Sequence, residues 1–233
     1  MSLDFALSAS ALDLGQLRED LAAFSALGID ELVVDVMDGA FAPAYGFGAR
    51  FIEAIATHGG AIRCHAHVMA HEPERRIADL IHAGAALVTV HAEACVHSHR
   101  LLDYIRATGA APGIALRPTT PLTDLEYLLP GADRVVLMAD EPGCAPTAPI
   151  PAMYERVKLL RDTLEYREWK TRIQVKLTAE PYAIAQADAA GAHGVILDVP
   201  VKAGPNSPDR LTPETLPSIQ RDTLARRRAL DLA

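Results

Sequence analysis

One punctuation mark recurs along this chain and restricts its fold more than any other feature. An apolar stretch of helical spacing is stopped by a glycine, and a short β-branched run follows. Ala83-Gly84-Ala85, Gly131-Ala132 and Ala190-Gly191-Ala192 are the clearest instances. Glycine ends helices because it takes up the left-handed conformation without a Cβ penalty. About eight strand–helix units of this kind, with no linker and no break in composition, predict a closed (β/α)8 barrel. An open doubly wound sheet is the alternative. It would carry a glycine-rich phosphate fingerprint after its first strand, and Ser8-Ala9-Ser10 is not one.

In detail, the pattern predicts strands over 5–8, 31–37, 62–69, 87–91, 113–116, 134–138, 172–176 and 195–198. Helices are predicted over 14–27, 49–57, 73–83, 96–107, 120–129, 153–166 and 180–190. Loops rich in Pro and Gly span 39–47, 139–151 and 200–208, and a basic C-terminal helix starts at about Pro213. Residues 1–233 read as one domain.

Composition excludes some classes of function. A net charge of -8 and a pI near 5.6 disfavour nucleic acid and anionic membrane surfaces as partners. Cys64, Cys95 and Cys144 are too few and too scattered for a disulfide framework or a zinc ribbon. No basic-then-apolar leader and no membrane-spanning run is apparent, so the chain reads as soluble and cytoplasmic.

The run Glu31-Leu32-Val33-Val34-Asp35-Val36-Met37-Asp38-Gly39 carries the chemistry. In a strand, Val33, Asp35 and Met37 share one face. Asp35 then enters an apolar interior, where a carboxylate is costly unless paired. Catalytic groups of βα-barrels stand at the C-terminal ends of strands. The alternative is an Asp that caps the next loop or pairs with a basic neighbour. His65 and His67 also share a strand face. With Asp35 they form a candidate three-ligand metal site that His91 would extend, or else they are inward polar residues hydrogen-bonded to their surroundings. His97-Ser98-His99, at a helix start, reads as a solvated face.

Taken together, several motifs resemble the ribulose-phosphate 3-epimerase family from about Leu7 to Leu197. They are Leu7-Ser8-Ala9, Val34-Asp35-Val36-Met37-Asp38-Gly39, Phe41-Ala42-Pro43, Phe47-Gly48, His67-Val68-Met69, Thr89-Val90-His91 with Glu93-Ala94, Pro118-Thr119-Thr120-Pro121-Leu122, and Met138 with Pro142-Gly143. The resemblance implies an α/β fold, a TIM barrel of the ribulose-phosphate-binding type. It also implies a sugar-phosphate substrate in pentose phosphate metabolism, and a homo-oligomer. Ser8, His67, Met37, Met69, Met138 and Gly143 fall where the family contacts substrate.

The family holds one divalent metal with a His and an Asp of strand two, a His of strand three and an Asp of strand seven. Its two Asp residues are acid and base. Here those positions are Val33, Asp35, His67 and Lys176. An ammonium beside a divalent ion opposes its binding. The metal is therefore expected to be absent or bound in altered geometry, with Asp35 and His67 as its remaining ligands and His65 as the candidate third. The phosphate end departs too. Cys144-Ala145-Pro146-Thr147, Leu177-Thr178 and Asp198-Val199-Pro200 replace glycine-rich turns. Asp198 would repel a phosphate, and Lys202 is the nearby cation that would attract one.

These features predict an epimerase-like isomerase moving a proton on a ketose phosphate or related sugar. Asp35 is the expected base, and Lys176 the expected acid and substitute for the metal's charge. A metal-free enzyme using this pair on a different substrate is one alternative. A structural Asp35–Lys176 ion pair in a non-epimerising sugar-binding barrel is another, and a Schiff-base role for Lys176 a third.

Overall fold

The computed structural model describes residues 3–144, 149–198 and 215–221. Eight parallel strands close on themselves in chain order, β1 pairing with both β2 and β8. They are β1 (Asp4–Ser8), β2 (Glu31–Met37), β3 (Arg63–Met69), β4 (Ala85–His91), β5 (Ala111–Leu116), β6 (Arg134–Met138), β7 (Arg172–Thr178) and β8 (Gly194–Asp198). The helices are α1 (Leu17–Ala26), α2 (Ala49–His58), α3 (Ile77–His82), α4 (Ser98–Thr108), α5 (Pro151–Tyr166) and α6 (Pro181–Ala189). The architecture is the expected (β/α)8 TIM barrel. No helix of the described residues is long and apolar enough to cross a membrane.

Parallel strands covered on both sides need apolar residues facing both ways. Val34, Val36, Val88, Val90, Ile173 and Val175 belong to the main core between sheet and helices. Ala6, Val33, Ala115, Val136, Met138 and Ile196 form a separate cluster, all from strands. Ile52 and Ile55 are the buried face of α2. Gly109 ends α4 at φ 106°, and its N–H bonds back to the last turn.

Several expected boundaries shift for local reasons. The helix expected over 120–129 is two 3-10 turns, Leu122–Leu125 and Leu129–Gly131. The backbone closes i to i+3 bonds there, Asp124 N–H to Pro121 O and Glu126 N–H to Thr123 O, both at 3.3 Å, so no continuous α-helix runs through. The stretch from 14 begins as a 3-10 turn, with Asp13 accepting from the Gly15 N–H, and becomes helical at Leu17. Pro73–Arg75 is likewise a 3-10 turn, entered from Glu72 at φ 47°, and α3 starts at Ile77. The helix expected from 96 starts at Ser98. Of the C-terminal segment, residues 216–221 are helical and Leu216 is fully buried. The 200–208 loop and the start of that helix at Pro213 lie outside the described residues.

The barrel interior also holds a polar layer centred on buried Glu31. Arg134 forks onto both carboxylate oxygens at 3.1 Å, and Gln174 Nε2 donates at 3.0 Å. His65 Nδ1 approaches at 3.3 Å, while its Nε2 is 2.7 Å from Thr89 Oγ1. Burial alone would raise the Glu31 pKa, but His65, Arg134 and Gln174 overcome it and hold the carboxyl at about 2. Gly113, paired with Thr89 across β4 and β5, makes room for this layer. A Cβ there would stand 2.1 Å from Thr89 Oγ1. Gly113→Ala is expected to destabilise the protein by about 1–3 kcal/mol in urea unfolding, and Thr89→Ala in the same chain should recover part of the loss.

Candidate functional site

Register brings the site residues together. Asp35 pairs with His67 and Met37 with Met69 across β2 and β3. Met138 pairs with Lys176 across β6 and β7, and Thr178 with Asp198 across β7 and β8. Each position lies near a strand's C-terminal end, so the side chains converge on one mouth of the barrel. A cavity of about 340 Å³ opens there, bordered by Asp35, Met37, Met69, Met138, Gly143 and Lys176. Ser8 and His67 are buried beneath its surface.

The dominant contact is between Lys176 and Asp35. Lys176 Nζ donates to Asp35 Oδ1 at 2.6 Å and to Oδ2 at 2.5 Å. It also lies 3.5 Å from Asp198 Oδ2. The ammonium is thus flanked by two carboxylates, Asp198 from the adjacent β8 and Asp35 from β2, which does not pair with β7. Ser10 Oγ lies 3.2 Å from Asp198 Oδ1 and 2.8 Å from Ser8 Oγ, and the Ser8 hydroxyl is 3.5 Å from Asp35 Oδ2. Burial disfavours the charged amine, but Asp198 and Asp35 outweigh it and push the Lys176 pKa up. Burial likewise disfavours the Asp35 carboxylate, and Lys176 reverses this, holding it far below the usual carboxylate range. Lys176 is therefore an ammonium in the resting protein. An imine-forming lysine needs the opposite shift.

A second line of contacts leaves this pair through the imidazoles. His67 Nδ1 lies 3.5 Å from Asp35 Oδ1 without making a hydrogen bond. His67 Nε2 is 3.0 Å from His91 Nε2, and His91 Nδ1 is 3.2 Å from Glu93 Oε2. Burial pushes the His67 pKa down to about 3, with His91 and Lys176 adding to the effect. His65 does not join this group, because both its ring nitrogens face Glu31 and Thr89 in the polar layer. The three-ligand set of Asp35, His65 and His67 is not assembled. Among the described residues no group of three His, Cys, Asp or Glu side chains is arranged to hold a metal ion.

The sequence reading missed Ser10, the line through Glu93, and the placement of Asp198 against Lys176. Asp198 carried a visible signal, since it ends β8 as Asp35 nearly ends β2. Glu180, beyond β7, caps α6 by accepting from Tyr182 N at 3.1 Å and Ala183 N at 2.7 Å. Lys202 lies outside the described residues.

The model of the ribulose-phosphate 3-epimerase family matches residues 4–200. The chain belongs to this family. It is 34% identical over 196 residues to the ribulose-phosphate 3-epimerase of Synechocystis, covering 83% of this chain and 85% of the relative. To the chloroplastic ribulose-5-phosphate-3-epimerase of Arabidopsis thaliana it is 32% identical, covering 78% of this chain and 65% of the relative. The Escherichia coli ribulose-phosphate 3-epimerase is 29% identical, with 77% and 80% covered. Among solved structures, a tryptophan synthase α-subunit mutant from Pyrococcus furiosus superposes with a TM-score of 0.65 at 16% identity, covering 96% of this chain and 98% of that one. Phosphoribosyl anthranilate isomerase from Thermus thermophilus gives 0.62 at 16% identity, covering 98% and 100%. These distant structures share the barrel.

Removing one member of a buried pair strands the other. Lys176→Met is expected to cost about 3–5 kcal/mol of stability at pH 7 in denaturant unfolding. Asp35 is depressed in the folded state, so its pairing is fully stabilising above an unfolded pKa of about 3.9 and is lost as pH falls through the folded value. Acid unfolding followed by circular dichroism should show this loss below about pH 4 in the wild type, and Asp35→Asn/Lys176→Met should remove that component.

Proposed function

We propose that this protein is a metal-independent proton-transfer enzyme of the ribulose-phosphate 3-epimerase family, acting beside the carbonyl of a ketose or ketose phosphate. The observation that carries the reading is the Lys176 ammonium held between Asp35 and Asp198. The residues present do not fit the family's divalent ion. Val33 offers no ligand, and both Asp35 oxygens are taken by the amine. A fixed positive charge at this place supports stabilisation of an enediolate oxygen.

In this reading Asp35 removes the proton from the carbon next to the carbonyl. The electron pair moves onto the carbonyl oxygen, where Lys176 balances the negative charge. Asp198, the carboxylate on the other side of Lys176, relays a solvent proton to the opposite face of that carbon to give the epimer, and Asp35 returns its proton to solvent. Lys176 acts as a standing cation rather than the acid, because its raised pKa makes it a poor proton donor. Asp35 is a weak base while paired. A ligand oxygen that draws the ammonium away restores its basicity, so binding and activation of the base are one event.

The doubly bonded contact between Asp35 and Lys176 also favours a second reading, a sugar-binding barrel in which the pair stays closed and moves no proton. Hydrogen–deuterium exchange separates the two. In D2O with D-ribulose 5-phosphate or D-ribulose, NMR should show deuterium entering C3 and the epimer accumulating, unaffected by EDTA. Elemental analysis should show less than stoichiometric metal. Lys176→Met is expected to lower the exchange rate by roughly 100-fold or more. Stoichiometric metal with activity lost to EDTA refutes the metal-independent reading. Binding without exchange selects the sugar-binding barrel.

A further inference from the structure

The cavity at the mouth has an arm that the proposed chemistry does not use. It runs outward between the loops that follow β1 and β2, where Leu12, Leu14, Tyr45 and Phe47 line it. Leu14 is 61% exposed and Tyr45 86% exposed, so two large apolar side chains stand in solvent at the rim of one cavity. Apolar residues exposed singly are ordinary, but a contiguous set along a pocket marks a contact surface.

These side chains are held in place. The β2 loop folds back on its own strand, with Gly46 N–H donating to the Met37 carbonyl at 3.1 Å and Phe47 N–H to the Asp35 carbonyl at 2.9 Å. Gly46 permits this approach, since a Cβ there would overlap the Asp35 carbonyl oxygen. The Tyr45 ring lies against Gly39, which has φ 76°, and a Cβ on Gly39 would stand 2.7 Å from the ring. Phe47 stacks on Phe51 at 4.1 Å between centroids. On the β1 side, Leu12 N–H bonds to the Ala9 carbonyl at 3.2 Å, and Asp13 accepts from Gly15 N–H at 2.9 Å. Little ordering is left for a ligand to impose. The backbone that carries Asp35 and Met37 also anchors the Tyr45 loop, so the arm is fixed relative to the Asp35–Lys176 pair.

Charge narrows the occupant. Among the described lining residues, the carboxylates of Asp35, Asp140, Glu141 and Asp198 outnumber the Lys176 amine. An anionic ligand meets a surplus of its own charge there, and an uncharged one does not. An apolar group gains by covering Leu14 and Tyr45. We infer that this site takes an uncharged ketose bearing an alkyl or aryl substituent, its hydroxyls beside Lys176 and its substituent against Leu14 and Tyr45. The inference rests on the mouth being the ligand site of the proposed enzyme.

The test is isothermal titration of the full chain with D-ribulose, D-ribulose 5-phosphate, 1-O-benzyl-D-ribulose and 5-O-benzyl-D-ribulose. The two ethers place the ring at either end of the ketose. One of them is expected to bind about tenfold more tightly than both D-ribulose and its phosphate. Tyr45→Ser/Leu14→Ser should abolish that gain, and Tyr45→Phe should keep it. Tyr166→Ser, at an equally exposed ring that ends α5, should leave it unchanged. The wild-type comparison decides without any variant: tightest binding by D-ribulose 5-phosphate overturns the inference, as do ethers that bind no better than D-ribulose. So does a gain that persists in Tyr45→Ser/Leu14→Ser. Failure of the enzyme reading looks different, because the ether then binds through Tyr45 and Leu14 while no deuterium enters its C3. Deuterium entering D-ribulose 5-phosphate with no preference for either ether removes this inference and leaves the enzyme reading standing.

Discussion

A buried ammonium between two carboxylates is the constraint on which the mouth of this barrel depends. Lys176 supplies two hydrogen bonds to Asp35 and lies within ion-pair distance of Asp198. Remove the amine and two acids face each other across a few ångströms of low-dielectric space. Remove Asp35 and the amine loses part of the favourable field that keeps it charged, with Asp198 left as its carboxylate partner. Each charge is tolerable inside the protein only because the other is present. The same mutual dependence ties structure to chemistry, since any ligand that competes for the amine alters the acid at once.

The rest of the interior is arranged so that this pair meets no stray charge. The Glu31 layer is closed upon itself, with Arg134, Gln174 and His65 directed at the one carboxylate. His65 and His67 are two residues apart on β3, yet they serve different neighbourhoods. One completes the lower layer and the other borders the mouth. Val33, Val136 and Ile196 join the apolar cluster of the barrel interior. Two polar groups thus share one barrel, and the Asp35 charge is still felt at His65.

Most of the fold was legible because it is written in local signals. The glycine stops and β-branched runs located all eight strands, and the barrel closes them in chain order. What could not be read was tertiary. Asp198 looked like an obstacle to phosphate because its partner, Lys176, is 22 positions away and meets it only through the β7–β8 register. Ser10 follows β1 in a short turn with no distinguishing motif. His65 and His67 appeared equivalent by periodicity, and only Glu31 and Thr89, on the flanking strands, tell them apart. The 120–129 stretch misled because apolar spacing does not separate an α-helix from successive 3-10 turns.

The Glu180 cap on α6 has a consequence for how this barrel must hold its ligand. The first free amides of a helix are a ready-made seat for an anion, and here Tyr182 and Ala183 have already given theirs to the chain's own carboxylate. A charged handle on a substrate finds no anchorage at that helix end. What the described residues set around the mouth is a methionine-lined wall, one ammonium and its carboxylates, so the help these residues could give lies within reach of the bond being broken.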